Sequence, residues 1–153
     1  METNDLILSP HFTLFEMTRT DNENLREENF SAGRALLYKM VQLAHFAENV
    51  RKIINCPMIV TSGYRCAALN KAVGGSKTSQ HLKCEAVDFI PKNMSARAAF
   101  DLIRQSPIEY GQLILEKRGQ GHILHISMGK KRQNLYSPAA GKYQAWKDDE
   151  TVA

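Results

Sequence analysis

This 153-residue sequence contains few cysteines and no long apolar run, and its positive and negative charges are nearly balanced. Its cysteines, Cys56, Cys66 and Cys84, are odd in number and lack CxxC spacing, so we expect free thiols rather than a disulfide framework. No run approaches the ~18 apolar residues that predict a membrane span. Residues 1–5 are acidic and lack the pattern of a secretory signal, which predicts a chain that is cytoplasmic as synthesised, unless another factor releases it.

The composition is that of an ordinary globular protein, with 43% hydrophobic and 24% charged residues. A net charge of +4 suits an anionic partner such as cell wall or nucleic acid but selects neither. The basic run Lys130, Lys131 and Arg132 lacks interleaved aromatic residues and any nucleic-acid-binding motif. We expect a monomer with neither a nucleic-acid nor a membrane partner.

The apolar residues between positions 31 and 54 recur at steps of three and four, which predicts the principal helix of the chain. Asn55 can end this helix, and Pro57 prevents its continuation. Thr13 and Glu16 have the spacing of a capping box, which predicts a short helix. Residues 19–29 are polar and are predicted to form a loop.

The later elements are short. The patterns predict a buried strand over residues 58–61, helical turns over 67–73, a strand over 85–90, a helix capped by Ser95 and running to about Gln105, and a hairpin of 112–116 with 122–127. In the helix, Ala99, Leu102 and Ile103 are expected to face inward. This order predicts one α+β domain over residues 1–153, with a small, mainly antiparallel sheet flanked by helices.

The segment after Gly129 is a C-terminal extension, residues 129–153, whose role the pattern does not indicate. Its aromatic residues Tyr136, Tyr143 and Trp146 are candidates to dock it on the domain.

Two histidines and an aspartate form a candidate metal site. His81 and Asp88 stand seven positions apart, and His125 follows in the second strand of the predicted hairpin. Imidazole nitrogen and carboxylate oxygen are common zinc ligands, and three protein ligands leave the fourth position open for water, as a catalytic site requires. Taken alone, a set scattered over 45 positions is weak support.

The residues around this set carry more information. They are Ser62, Gly63, Tyr64 and Arg65; Leu69 and Asn70; Val73, Gly74 and Gly75; Ser79; and Ile126 with Ser127. Together with the three candidate ligands they resemble the zinc D-alanyl-D-alanine carboxypeptidases, whose fold is shared by lysostaphin-type peptidases and the hedgehog signalling domain. The resemblance spans residues 10 to 128, and the stretch 11–16 is similar to the start of short, often phage-encoded members.

The resemblance implies a role for each site residue. His81, Asp88 and His125 would bind one Zn²⁺ ion. Arg65 would pair with a substrate carboxylate, for which its planar fork is suited. Ser79 would hydrogen-bond the substrate, and Tyr64, from the same motif as Arg65, is counted among the substrate-binding residues.

Two residues, His122 and Glu116, are candidates for the general base. Many relatives have glutamate three positions before the last histidine ligand, where this chain has His122, whose unperturbed pKa of ~6.5 suits the task. Strict strand alternation would put His122 and His125 on opposite faces, so His122 needs a bulge or twist to reach the metal. The hairpin register decides whether Glu116 shares the face of His125. We favour His122 and keep Glu116 as the alternative.

Cys84 is the main departure from the family, which usually has glycine there. The cysteine could add a thiolate ligand and close the metal site, or pack as a small apolar residue.

The resemblance thus implies a zinc-dependent peptidase hydrolysing peptidoglycan stem or crossbridge peptides. It would be a D-Ala-D-Ala carboxypeptidase or an endolysin-like endopeptidase, phage-encoded and acting on the cell wall after release through a holin. The alternative is a catalytically silent cell-wall-binding or structural module on the same fold.

Overall fold

The N-terminal elements of the computed structural model, which describes residues 5–148, form a small unit around a four-residue helix. Strands β1 (Ile7–Ser9) and β2 (Phe12–Thr13) pair antiparallel, and α1 (Leu14–Met17) follows directly. The backbone N–H of Glu16 donates to Oγ1 of Thr13 at 3.2 Å. This bond confirms the predicted capping box.

The polar segment after α1 is helical for most of its length. A 3₁₀ turn (Glu23–Leu25) leads into α2 (Arg26–Ala35), so the predicted loop over residues 19–29 is wrong from residue 23 onwards. The only buried residues of α2 are Asn29 and Gly33. A helix that buries one amide and one glycine shows no apolar periodicity in its sequence, which is why the prediction failed.

The principal helix, α3 (Leu37–Ile54), starts later than predicted because Leu36 leaves the helical conformation between α2 and α3. Its end is confirmed: Asn55 adopts the left-handed conformation at φ 51°, a common way to stop a helix, and Pro57 comes two residues later. The predicted strand after it is β3 (Met58–Ser62).

The remaining elements build a six-stranded sheet with the order β3-β4-β6-β5-β7-β8. Two helices connect its strands. They are α4 (Ala67–Ala72) and α5 (Ala96–Gln105), and the strands are β4 (Ala86–Pro91), β5 (Gln112–Arg118), β6 (Gly121–Ser127), β7 (Gln133–Ala139) and β8 (Lys142–Ala145). Within residues 5–148 only β5 and β7 pair parallel, so the sheet is mainly antiparallel and the predicted α+β domain is confirmed.

Strands β7 and β8 lie in the segment whose role the sequence did not indicate. Trp146 packs against Phe100 of α5 with ring centroids 4.7 Å apart, and Tyr136 packs against the core, as predicted. Tyr143 is 57% exposed, so the prediction that it docks the segment is wrong. All four residues of β8 are exposed, which leaves no alternating apolar pattern to predict this strand.

The core lies between the helices and one face of the sheet. Leu113 and Leu115 of β5 and Leu124 and Ile126 of β6 are fully buried there against α5 and its neighbours. Ser95 caps α5 as predicted, but Leu102 is 43% exposed rather than inward-facing. Ile114, Glu116 and His125 alternate with the core-facing residues along β5 and β6 and point to the opposite face of the sheet, where they too are largely buried. Among residues 5–148, no helix has the length and apolar character needed to cross a membrane.

Asn29 joins α2 to the segments on either side of it. Its fully buried side chain donates to the carbonyls of Thr18 (2.7 Å) and Tyr64 (3.2 Å) and accepts from the N–H of Cys66 (2.8 Å). Three buried backbone groups, which would be costly to leave unpaired, are thus satisfied by one amide. This side chain holds the segment that leads to Arg65.

We expect Asn29→Ala to lower the free energy of unfolding by about 2–4 kcal/mol, because it leaves buried backbone groups without partners. Chemical denaturation measures the change. The exposed Asn24 of the 3₁₀ turn provides the control: Asn24→Ala should change the unfolding free energy little. Equal effects of the two substitutions would show that the Asn29 hydrogen bonds are not stabilising.

Candidate metal centre

The pairing of β4 with β6 brings two of the candidate ligands together. Asp88 lies directly opposite His125 in the antiparallel register, so their side chains project from the same face of the sheet. Nδ1 of His125 lies 2.8 Å from Oδ1 of Asp88. Both residues lie on the face away from Leu124 and Ile126, because side chains alternate along a strand.

His81 reaches the same point from the turns after α4. Its Nδ1 lies 2.6 Å from the carbonyl oxygen of Gly63, and its Nε2 lies 3.2 Å from Oδ1 of Asp88. Because a carbonyl can only accept, Nδ1 is the donor in this contact, which leaves Nε2 as the ring nitrogen directed at Asp88. The backbone N–H of Arg65 donates to the carbonyl of His81 at 3.1 Å, which fixes the two segments to each other.

Gly63 allows the strand-end segment to approach the N-terminal unit closely. A Cβ at this position would lie 2.4 Å from the carbonyl oxygen of Met17, so any side chain would force the backbones apart. The next residue, Tyr64, donates its N–H to the same carbonyl at 2.8 Å. The sequence motif thus requires glycine at the residue whose carbonyl orients His81.

The donor set fits a divalent cation. Its ligand atoms, one from each of His81, Asp88 and His125, all lie within 4.8 Å of one another. Nε2 of His81 and Nδ1 of His125 both lie within hydrogen-bond distance of one carboxylate oxygen, and metal binding would use both imidazoles in their neutral form. Two imidazole nitrogens and one carboxylate oxygen are the ligands of many catalytic zinc sites, with the outer nitrogen bonded to a carbonyl.

Burial alone would raise the pKa of Asp88, but the imidazoles of His81 and His125 outweigh it and hold this pKa well below its usual range. The carboxylate is therefore ionised at neutral pH. An ionised carboxylate is the form that binds a metal.

Glu116 projects from the metal-site face of the sheet. Ile114 lies opposite His125 and Glu116 lies two residues further along β5, on the same face and opposite Ile123. Glu116 is 6% exposed, and its carboxylate accepts a hydrogen bond from Arg118 at 2.7 Å. Burial first, and then the charge of Asp88, raise the pKa of Glu116, against smaller lowering effects that include the charges of His125 and Arg118.

His122 lies on the other face. It is opposite Lys117, and β5 and β6 pair continuously from Leu113 to Arg118 without the bulge that would redirect it. Its ring lies 6.1 Å from that of Tyr136, and burial followed by the charge of Lys117 lowers its pKa. This register corrects the preference for His122 as general base and leaves Glu116 as the candidate on the metal-site face.

The comparison with protein families agrees with this geometry: residues 10–126 match the family described as Peptidase M15. The chain belongs to the peptidase M15 family. M15 peptidases are zinc-dependent metallopeptidases that act on peptidoglycan peptides, which accounts for the His-Asp-His group on this face of the sheet. No curated protein matches the chain.

Arg65 and Ser79 stand next to each other beside the M15 metal centre. Nη2 of Arg65 donates to Oγ of Ser79 at 3.4 Å, and the same Oγ accepts the N–H of His81 at 3.2 Å. Nε of Arg65 is buried without a hydrogen-bond partner among residues 5–148. A Cβ on Gly75 would lie 3.1 Å from Nη1 of Arg65, so this glycine gives the guanidinium its space.

Tyr64 does not share this position. Its side chain is 7% exposed and belongs to the hydrophobic core, where its ring lies beside Gly33 of α2. Successive residues of an extended segment point in opposite directions, so Arg65 faces the site and Tyr64 the interior. The substrate-binding role expected of Tyr64 is therefore corrected to a packing role.

A basic cavity of about 370 Å³ adjoins the metal centre. Its lining includes Asp88 and Ile123 of the sheet and three arginines, Arg19, Arg65 and Arg118. The sequence gives no signal for Arg19 and Arg118, because a single arginine in a loop or at a strand end does not belong to a recognisable motif. Asp21 also lines the cavity, so the three arginines outnumber the two aspartates and leave a net positive charge, which suits an acidic ligand.

Cys84 points away from the metal centre. Its Sγ lies 3.1 Å from Sδ of Met40 in the core, and burial raises the pKa of the thiol to about 12. The residue has φ 59°, the left-handed region that favours glycine, which explains the glycine usual in the family. Cys84 therefore packs as a small apolar residue and is no fourth ligand, and Cys56, Cys66 and Cys84 are all free, as predicted.

We expect His81→Ala to lose most of its bound zinc, because one of three protein ligands is removed. Elemental analysis of the purified, dialysed protein measures the metal content. The matched control is His45→Ala, since His45 is exposed on α3 and is not one of the three candidate ligands. A His81→Ala protein with the zinc content of the His45→Ala protein would contradict the ligand assignment.

Proposed function

We propose that this M15 metallopeptidase hydrolyses a peptide bond in peptidoglycan stem or crossbridge peptides, with His81, Asp88 and His125 as its zinc ligands. The observation that carries the proposal is the convergence of two histidine nitrogens on Oδ1 of Asp88. The cavity beside them, which Asp88 and Arg65 help to line, provides room for a peptide.

The chemistry requires a proton acceptor beside the metal. When bound, zinc lowers the pKa of its water towards ~7 and polarises the scissile carbonyl. Glu116 shares the sheet face of His125, and its raised pKa brings its proton affinity nearer to neutrality, where a general base works best. We assign Glu116 to accept the proton of the attacking water and to donate it to the leaving amine.

Arg65 is the proposed anchor for a substrate carboxylate. Its Nη2 is held by Ser79, and its side chain lines the cavity beside Asp88, where the guanidinium can meet a carboxylate. If that carboxylate is the peptide's terminus, the enzyme is a D-Ala-D-Ala carboxypeptidase. If it belongs to a side chain or an internal residue, the enzyme is an endopeptidase.

The biological setting is part of the same proposal. The resemblance of residues 11–16 to short, phage-encoded members supports an endolysin-like enzyme that is made in the cytoplasm and reaches the cell wall after release. We propose that it acts as a monomer.

One observation favours a second candidate, a catalytically silent cell-wall-binding module. The ion pair of Arg118 with Glu116 engages the proposed base. A silent module would bind zinc and peptidoglycan without turnover.

The deciding experiment is digestion of purified peptidoglycan with the zinc-loaded protein, with and without a chelator, followed by mass analysis of the released fragments. Fragments that require zinc support the peptidase and identify the bond cut. Stoichiometric zinc with binding to peptidoglycan but no fragments would favour the silent module.

The base assignment predicts a large difference between two conservative substitutions. We expect Glu116→Gln to lower kcat by about 10²–10⁴-fold while zinc stays bound, because the amide cannot accept the proton. His122→Gln is the matched control and should keep kcat near that of the wild type, because His122 lies on the opposite face of the sheet. The reverse order of the two effects would return the role to His122.

The anchor assignment makes a prediction about substrate charge. We expect Arg65→Lys to lower kcat/KM by about ten- to a hundredfold with unchanged zinc content, because an ammonium cannot replace the charged fork. Exposed Arg26 on α2 gives the control Arg26→Lys. Repeating the assay with a C-terminally amidated peptide tests the carboxypeptidase: if Arg65 binds the terminal carboxylate, amidation should remove most of the difference between wild type and Arg65→Lys.

A further inference from the structure

Three side chains on adjacent strands form a row that extends from the metal centre to the edge of the sheet. Glu116 of β5 lies opposite Ser137 of β7 in the parallel register. On β8, Gln144 lies opposite Tyr136 and Lys142 opposite Ala139, so Tyr143 lies opposite the irregular stretch of β7 that contains Ser137. Glu116, Ser137 and Tyr143 thus follow one another across β5, β7 and β8.

The three side chains share the metal-site face. Leu135 lies opposite both Ile114 and Ala145, and Ile114 lies opposite His125. Tyr143 is two residues from Ala145, so alternation places it on this same face.

Ser137 of β7 lies between Glu116 of β5 and Tyr143 of β8 in this row. Its small side chain is 4% exposed and donates to the carbonyl of Ala139 at 2.9 Å, which keeps the hydroxyl close to its own strand. Tyr143 is 57% exposed. The charges of Glu116, Arg118, Asp88 and Arg65 act on the pKa of its phenol, in keeping with its position on the metal-site face.

We propose that Tyr143 contacts the substrate, donating a hydrogen bond from its hydroxyl to the peptide held over the metal centre, on the β8 side of Glu116. This inference rests on the proposed function and adds a substrate contact to it. The basic cavity with Arg19 and Arg65 lies beside β3 and the loop before α2, so a peptide laid across the sheet meets the arginines on one flank and Tyr143 on the other.

The chemistry of the phenol suits this role. Burial, and then the negative charge of Glu116, raise the pKa of Tyr143, so the hydroxyl keeps its proton at neutral pH and remains a donor. The family match ends at residue 126, before β7 and β8 begin. The contact is therefore supplied by a hairpin that the family match does not include.

The test removes only the hydroxyl. We expect Tyr143→Phe to lower kcat/KM on soluble muropeptides by about three- to tenfold, the effect of one neutral hydrogen bond, with unchanged zinc content and melting temperature. Tyr38→Phe is the matched control, because Tyr38 is 78% exposed on α3. Muropeptides prepared by muramidase digestion of peptidoglycan serve as the substrate.

A second readout separates this inference from the proposed function. Binding of fluorescently labelled muropeptides to the zinc-loaded proteins is measured by anisotropy alongside turnover. If the wild type turns over and Tyr143→Phe matches it in kcat/KM, the contact is refuted and the peptidase stands. If the wild type binds without turnover, the proposed peptidase activity is refuted, but a weaker affinity of Tyr143→Phe still supports the substrate contact. Equal affinities of the two proteins refute the contact, and so does a wild type that does not bind.

Discussion

The antiparallel register between β4 and β6 fixes the position of the metal centre, and the positions of the other site residues depend on it. This register sets Asp88 opposite His125, and a slip of one residue would turn one of them into the core. The same face continues through β5, where it carries Glu116, and through β7 to Tyr143 on β8. This face presents a row of polar side chains over five strands, from Asp88 on β4 to Tyr143 on β8, and Ile114 and Glu116 on it are themselves buried.

His81 is the ligand that the sheet does not supply, and residues without chemistry of their own hold it in place. Gly63 approaches Met17 closely enough that its carbonyl can orient the imidazole, and Asn29 joins the flanking backbone segments. The N-terminal unit therefore acts as a support for the metal centre. Because the support works through backbone carbonyls and one amide, its loss would misplace His81 without removing any ligand.

Local signals in the sequence predicted most of the fold. The features that were missed either lack an apolar pattern or depend on the register between strands. The caps at Thr13 and Ser95 and the end of α3 at Asn55 depend on neighbouring residues and were predicted correctly. Helix α2 and strand β8 bury almost no apolar surface, so no pattern marked them. Whether Glu116 or His122 faces the metal centre depends on a single-residue register between two strands, which spacing along the chain does not determine.

Two departures from the family pattern, at His122 and Cys84, lie away from the candidate metal centre and do not favour a silent module. His122 lies on the other face of the sheet, and the thiol of Cys84 lies against Met40 in the core. A non-glycine residue at the left-handed backbone angle of Cys84 costs about 1–2 kcal/mol of folding free energy, and the burial of its side chain offsets this cost in part. The replacement of glycine by Cys84 therefore affects stability rather than metal coordination. The observation that does favour a silent module is the ion pair of Glu116 with Arg118. Its carboxylate is buried, but its guanidinium is 48% exposed and lines the cavity beside Asp88, so an arriving substrate carboxylate can draw the guanidinium away and free the base.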